Sequence, residues 1–485
     1  MRAALIALLS ALALLAAGCG GEDVGAGQDS PAGMLKAGAL VYWETQSDPD
    51  SDQWKQVEEL LRRFPDGDKW LAELEKSFED DTKITWDEVE QALGDRIAVA
   101  VYARSKDDVQ VVGLTKPDDP DQTIELVNRA NQEADTPGDR AVARKVDGWV
   151  FLSDKATSID AALKGDGEAL ADDKEFEDGM AELPEDAVSR VYVDVASALD
   201  AFGDANADIT KSIRSLGLDQ VDFAGAWAKA RDDGAEFAGA LRGEGADKLL
   251  GAADEYSSEL LDLVPADAFA FSTFQGQGVT QQFEALRGNP LYAMALRSFE
   301  EEAGIKIEDL VRLFKGEVAF YAAPGSPIPE LTLLLNADDP AQARQSAERL
   351  LRSLAERSGA NVTEDGDVTT AAFPGVSINL GSAGDTLVIT TTKDAIRKAP
   401  DLDETLADTE RYKQALAAAD TPDQYTGLLY VDLAQTIETI MGFATVSGET
   451  VPPEISRNLE PLRSLVAYGA KDGDLATSLL FVEIQ

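Results

Sequence analysis

Apolar and polar residues follow one another in two rhythms along this chain. Between Val191 and Val195 the valines occupy every second position, so they share one face of an extended strand. After Pro340 the apolar residues recur at helical spacing and form one stripe: Ala343, Ala347, Leu350, Leu351 and Leu354. Both rhythms recur along the chain, which predicts short strands and amphipathic helices.

Short turns indicate how the predicted strands pair. Residues 141–154 contain two apolar-rich segments around Asp147-Gly148, a residue pair typical of a tight hairpin turn. Strands joined by such short turns pair antiparallel. The pattern therefore favours an α+β fold over a doubly wound parallel sheet.

Residues 109–127 and 329–347 repeat one arrangement: a strand, then Asp-Asp-Pro, then a helix. Asp119 and Asp339 fit the N-cap position, a proline follows each, and a glutamine stands three residues after each aspartate. This is a capping-box arrangement, with proline where its missing N–H costs nothing. We therefore predict a capped helix in both segments.

Other segments repeat in the same order along the chain. The pairs are residues 149–163 with 387–399, 172–183 with 408–419, and 190–199 with 428–437, followed by closing hairpins around Asp233-Gly234 and Asp472-Gly473. We interpret the repeat as an internal duplication that gives two similar modules, residues 39–245 and 246–485. Each module is expected to be a largely antiparallel sheet with helices on one face.

Residues 1–18 have the layout of a secretory signal. Arg2 precedes an apolar run, residues 3–17, which is shorter than the about 20 residues of a membrane span. Residues 15–19, Leu-Ala-Ala-Gly-Cys, resemble the lipobox of bacterial lipoproteins, although Ala16 stands where leucine is usual. The resemblance implies cleavage after Gly18 and a lipid on Cys19. An ordinary signal peptide with an Ala-x-Ala-like cleavage site is the alternative.

Cys19 is the only cysteine, so no disulfide can form within the chain. A lipid on its thiol explains an unpaired cysteine in an exported protein. The glycine-rich residues 19–38 are then expected to be a flexible tether. We expect the protein at the outer face of the cytoplasmic membrane, held there by its lipid, with the outer membrane as the other location.

The chain has 90 acidic and 43 basic residues, a net charge of −47. Such a surface repels nucleic acid and anionic lipid, so we expect no nucleic-acid partner. Hydrophobic residues make up 44%, which is enough to build a packed core. The acidity is therefore interpreted mainly as a solvated surface.

The lipoprotein start, the paired modules and the strand–Asp-Asp-Pro–helix segments resemble a family of bacterial envelope proteins, the domain of unknown function 3352. The resemblance covers most of the chain after residue 38. It implies an envelope location and no assigned activity.

The chain contains no histidine. The absence of histidine excludes Ser-His-Asp and Cys-His catalysis in their usual forms. Because the chain has only one cysteine, structural zinc sites are excluded as well. Carboxylates remain, and Asp194 and Asp432 are the best-placed matched pair, each at a strand end before a helix. We interpret both as helix-capping residues, and we expect no enzyme activity and no cofactor.

An acidic run suggests one weak calcium candidate. Asp48, Asp50, Asp52 and Glu59 occupy positions 1, 3, 5 and 12 of an EF-hand loop. Gln53 stands at position 6, where that loop needs glycine. A solvated acidic turn is therefore the preferred interpretation.

All six tryptophans lie in the first module: Trp43, Trp54, Trp70, Trp86, Trp149 and Trp227. Core packing accounts for most such residues. An aromatic groove for an apolar or glycan ligand is the functional alternative, with Trp43 and Trp149 as the candidate ligand-facing residues.

These patterns lead to one main functional hypothesis. We expect a membrane-anchored lipoprotein with a non-catalytic binding or scaffolding role, whose partner is an envelope component or a small apolar ligand. The alternatives are a lipid or hydrophobe carrier, which requires a cavity, and a carboxylate-dependent hydrolase acting on envelope glycans. The hydrolase requires two acids about 5–10 Å apart across a cleft.

Overall fold

The computed structural model describes most of the chain after the predicted signal. The described residues are 30–485 except 106–107, 134–139, 165–166, 203–216, 245, 247–253, 279, 281–289, 304–305, 308–310, 312, 327, 447 and 449–450. The predicted signal and the predicted lipidation site, Cys19, lie outside these residues.

The described residues form an α+β fold with 18 strands in one sheet. The strands of the first half are β1 (Val41–Gln46), β2 (Arg96–Ser105), β3 (Asp108–Thr115), β4 (Val142–Val146), β5 (Trp149–Ser153), β6 (Ser189–Asp194), β7 (Phe223–Arg231) and β8 (Gly234–Arg242). Those of the second half are β9 (Ala270–Gln275), β10 (Glu317–Ala323), β11 (Glu330–Asn336), β12 (Asn361–Asp365), β13 (Val368–Phe373), β14 (Val376–Ala383), β15 (Thr386–Thr390), β16 (Gly427–Asp432), β17 (Leu462–Asp472) and β18 (Leu475–Ile484).

Every strand pairing is antiparallel, as the short turns predicted. The spatial order is β4-β5-β3-β2-β1-β6-β7-β8-β18-β17-β16-β9-β10-β11-β15-β14-β13-β12. Read outward from the central β8–β18 pair, the two halves follow the same order, and the second half adds the β12–β13 hairpin at its edge. We expected a separate sheet in each module, whereas the ladder continues from one half to the other.

Helices connect the strands. They are α1 (Asp52–Arg62), α2 (Gly67–Thr82), α3 (Trp86–Ala92), α4 (Pro120–Glu133), α5 (Ala156–Lys164), α6 (Lys174–Met180), α7 (Val195–Phe202), α8 (Pro290–Ala303), α9 (Pro340–Ser358), α10 (Lys393–Lys398), α11 (Glu410–Ala418), α12 (Leu433–Val446) and α13 (Pro453–Leu459). The predicted caps are confirmed, since Oδ1 of Asp119 and of Asp339 accepts the backbone N–H three residues on, at 3.2 and 3.0 Å.

The first half shows that both faces of the sheet are covered. Tyr42 lies on one face, called here the tyrosine face, where Ile159 of α5 and Phe176 of α6 pack beside it. Its neighbour Trp43 points to the opposite face, called here the tryptophan face, where α3 and α4 pack beside it through residues such as Val89 and Leu126. Successive strand residues alternate between faces, so a strand that is apolar throughout needs cover on both.

The second half repeats this arrangement. Ile396 of α10 and Tyr412 of α11 pack on the tyrosine face with Tyr430. Helix α9 packs on the tryptophan face, where Leu351 meets Leu335. The expectation of helices on one face only is therefore wrong, because the strands carry buried apolar residues at both odd and even positions.

The end of the predicted tether is also part of the fold. Ala32 and Leu35 are buried in the same cluster as Tyr42, and Leu35 is only 1% exposed. Lys36 forms a β-bridge with Ala169. The predicted tether, residues 19–38, therefore extends too far along the chain, because Ala32 and Leu35 near its end pack in the core.

Candidate functional site

The acidic run does not gather into a metal site. The Asp48 Oδ1 atom accepts the Asp50 backbone N–H at 2.9 Å, and Ser51 caps α1. Asp52 and Glu59 then lie within that helix. In the part of the chain that the structure describes, which includes all four candidates, no three acidic, cysteine or histidine side chains are placed to hold a metal ion.

The matched aspartates are helix caps, as we interpreted them. Oδ1 of Asp194 accepts the Ser197 N–H at 2.8 Å, and Oδ1 of Asp432 accepts the Gln435 N–H at 2.9 Å. Asp432 also pairs with Arg411 at 2.7 Å. Strands β7, β8, β18 and β17 separate the two aspartates, so they lie more than about 24 Å apart at 4.8 Å per strand. This pair is too far apart to act on one glycosidic bond.

The two candidate aromatic residues lie on opposite faces. Trp149 is 4% exposed on the tyrosine face, with the Lys116 ammonium 5.6 Å from its ring centre. Trp43 is half-buried on the tryptophan face, and its indole N–H donates to the Ser189 hydroxyl at 2.7 Å. The structure therefore does not bring the two rings together in one groove.

Sequence reasoning missed a buried charged cluster on the tyrosine face of the first half. Glu44 is buried, and its carboxylate accepts hydrogen bonds from Arg96 Nη1 at 3.2 Å, from Arg190 Nε at 3.0 Å and from the Tyr42 hydroxyl at 2.7 Å. Burial alone raises the pKa of Glu44, but the two guanidinium groups and the Tyr42 hydrogen bond outweigh it and lower that pKa. The carboxylate is therefore held ionised as a structural partner of the arginines.

The second half has a buried carboxylate of its own, Glu317. It accepts a hydrogen bond from the Thr273 hydroxyl at 2.8 Å and one from the Ser258 hydroxyl. The backbone N–H groups of Glu259 and Leu260 donate to it at 3.0 and 3.3 Å. These donors are neutral groups, in contrast to the arginines around Glu44.

A row of small residues crosses the middle of the sheet on the tryptophan face. Its members are direct partners in adjacent strands: Gly427, Gly469, Ser478, Gly239 and Ala226. Phe274 continues the row at one end, and Val191 and then Trp43 continue it at the other. Direct antiparallel partners point to the same face, so the row is a strip of bare sheet between larger side chains.

Larger residues flank this strip. Two positions further along the strands, the row of direct partners is Leu429, Ala467, Leu480 and Phe237, called the leucine flank below. Phe237 is 49% exposed and Leu429 is 37% exposed. On the other side stand Leu241, Ala476 and Lys471, and Lys471 is the one ionisable residue among them. The strip and its two flanks are called the central groove below.

The central groove is open to solvent. Ser478 and Ala226 on its floor are exposed, and a shallow, open depression of about 330 Å³ lies over β9, β16, β17 and β18, lined among others by Gly427 and Gly469. Helix α1 covers the tryptophan face beyond the leucine flank, where Leu60 packs with Val482. Exposed apolar side chains beside a bare floor are typical of a surface that binds a partner or ligand.

The central groove could have been suspected from the sequence only in part. The closing hairpins carry small residues at alternate positions, as in residues 224–228 and 467–470. Their alignment into one row depends on the register between strands that are more than 180 residues apart, such as β7 and β16. Spacing along the chain contains no information on that register.

A comparison with protein families matches residues 122–475 to the model described as protein of unknown function (DUF3352). The chain belongs to the DUF3352 family. The match in this DUF3352 protein runs from helix α4 to the start of β18, so it contains the Glu317 cluster and the floor residues of the central groove other than Ser478. No curated protein matches the sequence.

Among solved structures, the DUF3352 chain is similar to crystal forms IV and I of TP0453. Form IV has 14% identity and a TM-score of 0.25, over 48% of this chain and 82% of that chain. Form I has 14% identity and a TM-score of 0.23, over 46% of this chain and 90% of that one. These scores are too low to inform either the fold or the function.

None of the described helices is both long enough and apolar enough to cross a membrane.

Proposed function

We propose that this protein is a membrane-anchored, extracytoplasmic lipoprotein that binds an apolar envelope component without catalysing a reaction. The central groove is the observation that carries the proposal. Its floor and its leucine flank contain no ionisable residue, in a chain whose net charge is −47. An uncharged strip on so acidic a protein is suited to an apolar ligand.

The anchor in this proposal is the lipid on Cys19, added after a signal cleaved between Gly18 and Cys19. The folded part begins by Ala32, so about a dozen residues join the lipid to the fold. Fully extended, they span about 40 Å at roughly 3.4 Å per residue. The protein would then stand close to the outer face of the cytoplasmic membrane, or of the outer membrane.

We also propose that the two halves arose by internal duplication. The shared strand order on either side of the β8–β18 pair supports this, as do the paired Asp-Asp-Pro helices. Tyr192 and Tyr430 occupy equivalent places, since each pairs with the second residue of β1 or β9. The central groove forms where the closing hairpins of the halves meet.

A binding role is preferred to the hydrolase alternative. The best-matched acids cap helices more than about 24 Å apart, and the buried Glu44 is committed to two arginines. The floor of the central groove offers no ionisable side chain and one hydroxyl, that of Ser478. These features suit a bound molecule better than proton transfer.

Two measurements on the full chain test this proposal. For anchoring, cells are labelled with a radioactive fatty acid; the parent protein is expected to carry label and Cys19→Ala to carry none, and equal labelling contradicts the anchor.

For binding, molecules that co-purify from the native membrane are identified by mass spectrometry for the parent and for Gly239→Leu. An apolar molecule enriched with the parent and lost with the variant is expected, whereas identical profiles contradict the binding role.

A further inference from the structure

We propose that the central groove holds one acyl chain of an uncharged or zwitterionic envelope lipid, laid across the strands. This inference rests on the proposed binding function and specifies its ligand. The relevant features are the length, the shape and the charge of the groove.

The length of the groove suits one lipid chain. The five floor residues stand on five adjacent strands, so the floor spans about 19 Å at 4.8 Å per strand. Phe274 and Val191 close its two ends. One leaflet of a bilayer has a hydrocarbon thickness of about 15 Å, half of the 30 Å core. The floor is thus long enough to hold one membrane acyl chain.

The shape favours a slender chain over a peptide strand. The backbone N–H and C=O groups of β8, β16, β17 and β18 pair with neighbouring strands on both sides. A peptide lying on this face would find no ladder to extend, because strand addition occurs at a sheet edge. An alkyl chain needs no hydrogen bonds and gains from contact with Phe237 and Leu429.

The charge disfavours a second copy and an anionic lipid. Two copies each carry a charge of −47, so docking them face to face brings strongly like-charged surfaces together. An anionic headgroup is repelled by the net negative charge of the whole protein, and Lys471 is the one cation among the flank residues named above that opposes this repulsion. An uncharged or zwitterionic headgroup avoids it, while its chain covers the exposed Phe237 ring.

The test is a fluorescence titration of the full chain with phosphatidylcholine that carries a fluorescent group on one acyl chain. Gly239→Leu fills the floor, and the nearest atom to an added Cβ at this position is 3.7 Å away, an ordinary van der Waals contact. Affinity is expected to fall by about 15-fold or more, because the bound chain loses the burial of about two methylene groups. Ser478→Leu, at an exposed floor position, is expected to act in the same way.

The matched control is Thr363→Leu, which adds the same side chain at an exposed position of the edge strand β12. It is expected to leave affinity unchanged. Phosphatidylglycerol with the same labelled chain is expected to bind more weakly at low salt and equally at high salt, because salt screens the repulsion. Circular dichroism of each variant shows whether it is folded.

The outcomes separate this inference from the proposed function. Equal affinity of folded Gly239→Leu, folded Ser478→Leu and parent overturns the acyl-chain proposal, as does tighter binding of phosphatidylglycerol. If mass spectrometry then still finds a molecule that Gly239→Leu loses, the groove binds a different apolar ligand and the binding function stands. If no molecule depends on the groove, both fail.

Discussion

The two halves of the sheet bury a carboxylate in nearly the same place and satisfy it in different ways. Glu44 on β1 meets Arg96 on β2 and Arg190 on β6. In the second half the place of Glu44 is taken by Thr273 on β9, and the place of Arg96 by Glu317 on β10. Glu317 is bound by hydroxyl and backbone N–H groups instead of arginines.

This difference shows which features the fold itself requires. The strand order and the capped helices occur in both halves, so they belong to the framework. The buried polar clusters differ in residue type and even in sign at the Arg96 position, so each is a local solution for satisfying a buried charge. The two clusters therefore do not form one catalytic arrangement that both halves share.

The largest expected effect distinguishes the two carboxylates. Glu44→Gln leaves two arginines, each about one-tenth exposed, without their anion, and breaking such a pair costs about 3–5 kcal/mol. Glu317→Gln keeps an acceptor oxygen for its neutral donors, and we expect a loss of about 1–2 kcal/mol. Urea denaturation of both variants measures the difference. Equal losses would contradict the contrast between the halves.

The pH dependence sharpens the same contrast. The pKa of Glu44 is lowered from 4.5 in the folded protein, so the stabilisation that it contributes is fully present above that value. It is lost as the pH falls through the lowered folded pKa, where the carboxylate takes up a proton. We therefore expect the stability difference between the parent and Glu44→Gln to be constant from pH 8 to about 5 and to shrink below about 4. A difference that grows on acidification would have the wrong sign.

The matched helix caps provide a smaller test. Asparagine caps a helix as well as aspartate does, so Asp194→Asn is expected to change the unfolding free energy by less than about 0.5 kcal/mol. Asp432→Asn also loses the charge that pairs with Arg411, and we expect a loss of about 1–2 kcal/mol. Thermal unfolding of the two variants under one buffer condition compares them. A larger loss for Asp194→Asn would show that the halves do not differ as described.

The central groove is also expected to contribute little to stability. Phe237 is 49% exposed, so Phe237→Ala should lower the unfolding free energy by no more than about 1 kcal/mol. The same change should weaken phosphatidylcholine binding, because it removes a flank of the groove. A core-sized loss of about 3 kcal/mol or more would mean that Phe237 is a packing residue.

The sequence predicted local structure well and long-range arrangement poorly. The caps at Asp119 and Asp339 and the antiparallel hairpins follow from residue types within a few positions, and the structure confirms them. The joining of the halves through β8 and β18 depends on contacts between residues about 240 positions apart. The β12–β13 hairpin has no counterpart among the described residues of the first half, so the repeat did not predict it.

The candidate sites divide in the same way. The capping role of Asp194 and Asp432 was readable because a cap is local. The Glu44 cluster and the central groove were missed, since each is assembled from side chains on different strands. Trp43 was singled out for its residue type, and it does lie on the face of the groove, beyond Val191, but packed among helix residues.

The most direct test of the account is to locate the bound chain. Full-length protein in its native membrane is supplied with phosphatidylcholine that carries a photoactivatable diazirine on one acyl chain, and the cross-linked peptides are mapped after irradiation. The account predicts cross-links in β8, β16, β17 and β18, concentrated near Gly239, Gly469 and Phe237, and their loss in Gly239→Leu. Cross-links confined to other segments, or unchanged in that variant, would contradict the assignment of the central groove as the ligand site.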